Sequence, residues 1–139
     1  MARFMMFILP GQIASDEDYM PTADEVGAMS RYNEELTKAG VLLALDGLHP
    51  TSKGARVSFA GGKSTVTDGP FTEAKELIGG YWLIQVKSKE EAVEWASRCP
   101  GGDGDVIEVR QVFEMSDFPE DVQKAGELSQ TPPEQTSAQ

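Results

Sequence analysis

Apolar residues recur with two different periods along this chain, and each period predicts a type of secondary structure. Every position after the first is apolar in the segment from Arg3 to Leu9. Read as a strand, this segment carries Phe4, Met6 and Ile8 on one face and Met5, Phe7 and Leu9 on the other. A second segment with apolar residues on both faces runs from Tyr81 to Val86. Such strands belong in the middle of a sheet that is covered on both sides.

Two helices are predicted between the strands. The first begins at Thr22, which forms a capping-box pattern with Glu25, and it ends at Gly40. The second begins after Ser88 and ends before Pro100. The residues expected on the apolar stripes are Val26, Met29, Asn33 and Leu36 in the first helix and Ala92, Trp95, Ala96 and Cys99 in the second.

The remaining strands complete the order β-α-β, hairpin, β-α-β. They span Val41 to Leu45, Arg56 to Ala60, Lys63 to Thr67 and Asp105 to Phe113. This order predicts an α+β fold of the ferredoxin-like, split β-α-β type with an inserted β-hairpin and both helices on one face of an antiparallel sheet. Two helices cover only one face, so we expect a second copy of the chain to cover the other face in a homodimer.

Length and charge narrow the classes of partner. The 139 residues are enough for one domain, and a formal net charge of −11 repels phosphate backbones and anionic lipids. We therefore expect no nucleic acid and no membrane among its partners. The apolar run at the N terminus is too short to cross a bilayer, which makes the cytoplasm the expected location.

The sequence also lacks the patterns that bind metals and nucleotide cofactors. A single cysteine excludes an internal disulfide, and one histidine with one cysteine does not make a metal-binding motif. Neither Gly61-Gly62 nor Gly79-Gly80 has the spacing of a phosphate-binding loop. We expect neither a metal nor a cofactor.

The composition changes near residue 116, which predicts a boundary there. Residues 1–115 hold the predicted strands and helices, whereas residues 116–139 are acidic and polar. From Glu120 onward, apolar residues are few and Gln, Ser, Thr, Pro and Glu dominate. We expect a flexible C-terminal tail that is helical at most near its start.

The run Asp68-Gly69-Pro70-Phe71 predicts a sharp corner after the hairpin. Pro70 fixes its own φ and keeps Gly69 out of the helical region. Gly69 tolerates the resulting dihedral angles, and the Asp68 carboxylate is expected to accept hydrogen bonds from the backbone N–H groups that follow it. Thr72 to Leu77 is expected to form a turn of helix.

This corner carries a resemblance to a known family. The run from Val66 to Glu76, VTDGPFTEAKE, followed by Gly79-Gly80-Tyr81-Trp82, resembles the signature of the YCII-related proteins of the DGPF type. Similar segments extend the resemblance over residues 3 to 113: Leu48-His49-Pro50, Glu94-Trp95-Ala96 with Arg98-Cys99-Pro100, and Ile107-Glu108-Val109-Arg110.

The resemblance implies a fold, a kind of site and a partner. The fold is the dimeric α/β-barrel version of the ferredoxin-like arrangement, with a cleft between the sheet and the loops. YCII-like proteins are suspected of enzymatic activity through a histidine and an aspartate, although the family has no established reaction. Proteins of the DGPF branch often accompany extracytoplasmic-function sigma factors, which makes such a factor a candidate partner.

His49 and Asp68 are the candidate catalytic residues. His49 is the only histidine and follows a predicted strand. Its imidazole suits proton transfer near neutral pH, whereas the alternative is a polar surface residue at a strand end. Asp68 either orients that imidazole, acts as a base or stabilises its turn. If the hairpin folds back onto the sheet, the two side chains share the mouth of a cleft as an acid–base pair.

Three further residues are candidates for ligand binding. Glu108 and Arg110 alternate with apolar neighbours on the last strand, so we expect them on the face turned towards the dimer partner. There they either form a salt bridge at the interface or meet an acidic ligand through Arg110. Phe71 either contacts a ligand or serves as a hydrophobic plug for its turn.

Three other residues with reactive or aromatic side chains are expected in the core. Tyr81 and Trp82 point to opposite sides of their strand, and both are expected to be buried. Cys99 follows a helical stripe at a helix C-terminus, where the helix dipole disfavours a thiolate, so we expect it to be buried and unreactive.

Three functions are compatible with these residues. The first is a dimeric enzyme for cofactor-free acid–base chemistry on an unknown small molecule, in which His49 carries the proton and Asp68 orients it. The second is a non-catalytic accessory protein whose acidic surface and tail dock on a basic partner, such as a sigma factor. The third is a dimer that binds a metabolite without changing it.

Overall fold

The structure is a computed structural model that describes residues 1–11, 20–73 and 76–130, the last four of them by their backbone alone. The strands are β1 (Ala2–Leu9), β2 (Leu42–Gly47), β3 (Ala55–Ala60), β4 (Lys63–Asp68), β5 (Gly80–Val86) and β6 (Val106–Gln111). The helices are α1 (Ala23–Lys38), α2 (Lys89–Ser97) and α3 (Glu120–Gln130). Ala74 and Lys75 of the expected helical turn, and residues 131–139 of the expected tail, lie outside the described residues.

Four of the strands form an antiparallel sheet in the order β2-β5-β1-β6. β1 lies inside this sheet, where Met6 pairs with Trp82 of β5 and with Val109 of β6. The other two strands, β3 and β4, form a separate hairpin. The predicted α+β class and the ferredoxin-like, split β-α-β order with an inserted hairpin are therefore confirmed.

One face of the sheet is buried against α1 and α2 and forms the core. The core residues are Phe4, Met6, Trp82, Ile84 and Val86 of the sheet, Tyr32 and Leu36 of α1, Val41 after α1, and Ala92 of α2. The Tyr32 ring meets the edge of Trp82 with centroids 5.8 Å apart, and its hydroxyl donates to the Trp95 carbonyl at 2.7 Å. Tyr32 therefore ties both helices to the sheet.

The predicted stripe on α1 is correct in part. Asn33 belongs to it as a hydrogen-bond partner, because the Trp82 Nε1–H donates to its Oδ1 at 2.8 Å and the indole would otherwise be buried without an acceptor. Val26 is 49% exposed and not in the core. It lies beside a groove between the first turns of α1 and the loop at residues 100–105.

The helix ends follow the predicted capping rules. The side chains of Thr22 and Ser88 each accept a hydrogen bond from the backbone N–H three residues later, both at 3.2 Å. After α1, Gly40 has a φ of +74°, and the Val41 N–H donates to the Leu36 carbonyl at 3.2 Å. This closure fixes where the chain turns back into β2.

The other face of the sheet points away from α1 and α2. Met5, Phe7 and Leu83 lie on it and are partly exposed, as the alternation of apolar residues predicts. Tyr81 also lies on this face, where its hydroxyl donates to Asp46 Oδ2 at 2.9 Å. The prediction that Tyr81 is in the core is therefore wrong, and it is right for Trp82 on the opposite face.

The β3–β4 hairpin has no buried residue. Val57 pairs with Val66 and Phe59 with Ser64, which places the three apolar side chains on one face of the hairpin. Phe59 is 82% exposed. The hairpin projects from the domain, and its two strands contribute no residue to the hydrophobic core of the domain.

The C-terminal segment is helical near its start, where the sequence allows a helix. α3 runs for 11 residues and contacts the 3-10 turn Met115–Asp117 that precedes it. Before it, the ring of Phe113 stacks on Phe118 with centroids 4.9 Å apart. Among the helices described, none combines the length and the apolar character needed to span a membrane.

Candidate ligand-binding site

A pocket of about 360 Å³ lies at the base of the hairpin. Its wall is formed by residues 48–51 after β2, residues 53–56 at the start of β3, and Phe71 with residues 76–78. The first two segments are separated by Ser52 alone and precede the hairpin turn, whereas the third follows the hairpin, and they meet where the hairpin leaves the sheet. The volume is at the lower end of the range for small-molecule sites.

His49 lies in the wall of this pocket. It is exposed, in the loop that joins β2 to the 3-10 turn Thr51–Lys53. The preceding residue, Leu48, donates its backbone N–H to the Gly79 carbonyl at 2.9 Å, which ties this loop to the start of β5. The imidazole is therefore presented to the pocket from a loop that is anchored to the central sheet.

The Asp-Gly-Pro-Phe corner packs against the same loop. The Gly69 N–H donates to the Gly54 carbonyl at 3.0 Å, and the Phe71 N–H donates to Thr51 Oγ1 at 3.0 Å. Between residues that the structure describes, no backbone N–H donates to the Asp68 carboxylate, contrary to the expected turn chemistry. The corner is held by Thr51 and Gly54 instead.

Gly69 has a role in this corner that differs from the predicted one. Its φ is not positive, so a special backbone conformation does not require glycine there. A Cβ atom at this position would lie 1.7 Å from the carbonyl oxygen of Thr51. Glycine is required because the corner and the 3-10 turn approach each other this closely.

Asp68 is near the pocket but does not line it. It ends β4 opposite Ala55, and Ala55 is part of the wall. No hydrogen bond joins Asp68 to His49 in the described part of the chain. The structure therefore brings His49 and Phe71 to the pocket, while the catalytic pairing of His49 with Asp68 stays a prediction.

Phe71 lines the pocket and also supports a cation. The guanidinium carbon of Arg56 lies 3.9 Å from the centroid of the Phe71 ring. This contact is a cation–π interaction, and it places the guanidinium over the ring. Arg56 and Lys53 both belong to the pocket wall.

Glu108 and Arg110 lie elsewhere, on β6. Ile107 and Val109 pack against the core, so the two charged side chains point to the opposite face of the sheet, as predicted. Arg110 Nη1 is 3.8 Å from Glu108 Oε2. Neither residue lines the pocket at the hairpin base, and their role in ligand binding stays a prediction.

Cys99 lies on the helix-covered side of the sheet and packs partly against the core. Burial, and secondarily the negative charge of Asp105, raises the pKa of its thiol to about 11. Because the thiolate is the nucleophilic form, Cys99 is a poor nucleophile at neutral pH.

Metal binding receives no support from the side chains that are described. Within residues 1–11, 20–73 and 76–130, no three His, Cys, Asp or Glu side chains are grouped in a way that could hold a metal ion.

Sequence reasoning missed three residues of this site: Thr51, Lys53 and Arg56. Thr51 acts through its hydroxyl on a residue twenty positions later, and no local pattern signals such a contact. Lys53 and Arg56 could have been found from charge, because they lie in a stretch of the chain that has no acidic residue.

Two comparisons place this chain among known proteins. The family model described as the YCII-related domain matches residues 3–116. A protein of Rhizobium meliloti (strain 1021), "Uncharacterized protein R00369", is 35% identical over 68 residues, which are 49% of this chain and 55% of that protein. The match thus spans about half the length of this curated relative.

Proposed function

Since this chain belongs to the YCII-related domain family, we propose that it binds a small molecule in the pocket at the hairpin base and that His49 transfers a proton there without a cofactor. The observation that carries this proposal is the position of the only histidine in the wall of a pocket that residues on both sides of the hairpin form together. An imidazole there can give or take a proton near neutral pH. Asp68 pairs across the hairpin with Ala55, which is a residue of the pocket wall. Its carboxylate would orient the imidazole once a ligand is bound.

The rest of the pocket supports binding of a molecule with a mainly apolar body. Leu48, Pro50, Phe71, Leu77 and Ile78 supply most of the apolar wall. Leu77 is buried, so the wall is anchored to the interior and is not a loose surface loop. Apolar walls with a few polar groups are typical of sites that bind metabolites.

The single histidine makes the proposal directly testable. In tag-free protein labelled at histidine, the imidazole signals in a ¹H–¹³C NMR spectrum come from His49 alone. We expect some members of a metabolite library to shift these signals, and we expect at least one of these binders to be converted when followed by one-dimensional NMR. His49→Ala should abolish that conversion with the fold unchanged by circular dichroism.

The possible results separate binding from catalysis. Conversion that continues in His49→Ala contradicts the catalytic role of His49. Binders that are never converted contradict catalysis and leave a binding protein. If no compound shifts His49, the pocket is not the site.

We also propose that the protein is a homodimer through the sheet face that carries Met5, Phe7 and Leu83. These side chains are apolar and partly exposed, and they point away from α1 and α2. Light scattering should give twice the chain mass of 15.1 kDa. Leu83→Asp should give the monomer mass, whereas Val93→Asp on the exposed side of α2 should leave the dimer intact. A monomeric wild-type protein contradicts the proposal.

A further inference from the structure

The basic residues of this acidic protein are unevenly distributed. The chain has 23 acidic and 12 basic residues, and yet positions 47–67 contain Lys53, Arg56 and Lys63 with no aspartate or glutamate. This stretch supplies the loop, the 3-10 turn and most of the hairpin around the pocket. Two of these cations, Lys53 and Arg56, lie in the pocket wall with His49, and Lys63 lies at the tip of the hairpin.

Two of these cations line the pocket, and neither forms a salt bridge with a described side chain. Within the described part of the chain, no carboxylate lies within salt-bridge distance of Lys53 or Arg56. Three other arginines, by contrast, each pair with a glutamate: Arg3 with Glu114, Arg98 with Glu94 and Arg110 with Glu108. Lys63, Lys87 and Lys89 likewise have no carboxylate within salt-bridge distance among the described residues. What distinguishes Lys53 and Arg56 is that both lie in the wall of one pocket, beside His49.

The geometry of Arg56 suits a planar anion. Its guanidinium lies over the Phe71 ring, with 3.9 Å between the guanidinium carbon and the ring centroid. A guanidinium that lies over an aromatic ring can still donate its N–H groups to a ligand. The edge of a guanidinium donates two parallel hydrogen bonds to a carboxylate.

The negative charge in the wall is limited to one residue. Glu76 is the acidic residue among the described residues of the wall, against the cations of Lys53 and Arg56 and the imidazole of His49. The remaining wall is mainly apolar. A ligand that matches this wall carries an anionic group next to an apolar body.

We propose that the ligand of this pocket is a small organic carboxylate with an apolar body. The Arg56 guanidinium binds the carboxylate, Lys53 adds positive charge, and the apolar wall covers the body of the molecule beside His49. This inference rests on the proposed use of the pocket as a binding site, and it specifies the chemical class of the ligand.

The test uses three probes of nearly the same shape and different charge: benzoate, benzamide and benzylammonium. Binding is followed by the imidazole signals of His49. We expect benzoate to bind at least tenfold more tightly than benzamide, because the amide carries no negative charge and has one acceptor oxygen in place of two, so one of the two hydrogen bonds from the guanidinium is lost. Benzylammonium should bind more weakly than either.

Arginine variants then identify the group that binds the carboxylate. Arg56→Gln should weaken benzoate binding about tenfold or more and leave benzamide binding within about twofold. Arg98→Gln is the matched control: Arg98 also lies over an aromatic ring, Trp95 at 4.7 Å, but it is paired with Glu94 and remote from the pocket wall. Benzoate binding should be unchanged in that variant.

The failures of the two proposals are distinguishable. If benzamide binds as tightly as benzoate, or if Arg56→Gln has no more effect than Arg98→Gln, the pocket is a binding site but its ligand is not selected as an anion. If none of the three probes shifts the His49 signals at millimolar concentration, the carboxylate inference is overturned. The proposed function then fails as well if no member of the metabolite library shifts these signals.

Discussion

The four-stranded sheet and the β3–β4 hairpin are built from strands of similar length, but they bury very different amounts of apolar surface. In the sheet, Met6 and Ile84 are completely buried. In the hairpin, Val57, Phe59 and Val66 are all more than half exposed. The sheet therefore provides most of the hydrophobic stabilisation of this domain, and the hairpin provides little of it.

This difference explains where the candidate site lies. A two-stranded hairpin is marginally stable in water by itself, so its position depends on the contacts at its base. Those contacts are the hydrogen bonds that Gly69 and Phe71 donate to Gly54 and Thr51. Three of these four residues, Thr51, Gly54 and Phe71, line the pocket, which means that the segment with the least packing is held in place by residues of the site itself.

The largest expected effect on stability is in the sheet. Ile84→Ala removes a completely buried side chain from the core and should lower the free energy of unfolding by about 3 kcal/mol. Phe59→Ala removes a larger side chain that is 82% exposed, and it should change the free energy by less than about 0.5 kcal/mol. Urea unfolding of both variants, followed by circular dichroism, measures the difference.

Equal losses of unfolding free energy in the two variants would contradict the comparison between sheet and hairpin. They would mean that Phe59 is buried in the folded protein in solution. Repeating the measurement over a tenfold range of protein concentration tests that case directly. If the stability of the wild-type protein rises with concentration and the effect of Phe59→Ala rises with it, the hairpin face is covered by a second chain and not by solvent.

The sheet could be predicted from the sequence because its causes are local and periodic. β1 and β5 were recognisable since apolar residues on both faces mark an interior strand, and Thr22 and Ser88 mark helix starts through hydrogen bonds to the next turn. The alternation of side chains along a strand also predicted that Glu108 and Arg110 lie on the face opposite the helices. It could not show that Tyr81 prefers a hydrogen bond to Asp46 over burial.

The site could be predicted only in part because its contacts join segments that are far apart in the chain. In α1, Tyr32 is buried in the core and Val26 is not, and spacing within one helix does not reveal which of its turns lie over the sheet. The partner of the Asp-Gly-Pro-Phe corner is likewise Thr51, in another loop. His49 and Phe71 could be predicted as site residues, and the absence of acidic residues around Lys53 and Arg56 was a further signal, but only the fold shows that all four line one pocket.

The smaller expected effect on stability is at the hairpin base, and it tests the close approach at Gly69. Gly69→Ala introduces a Cβ that would lie 1.7 Å from the Thr51 carbonyl oxygen, so the corner must move away from the 3-10 turn. We expect a loss of about 2 kcal/mol in the free energy of unfolding, which is typical of an overpacked site. We also expect chemical-shift changes concentrated in residues 48–56 and 68–71, because the displacement stretches the hydrogen bonds that hold this corner.

Gly47→Ala is the matched control for this substitution. Gly47 ends the nearby strand β2, has no positive φ, and would place its Cβ with no atom within 4 Å. The control should therefore change the free energy by less than about 0.5 kcal/mol, with the His49 signals unmoved. If Gly69→Ala behaves like this control, the corner tolerates a side chain and does not fix the hairpin. The pocket would then be a flexible surface feature, and the link between the hairpin base and the site would be wrong.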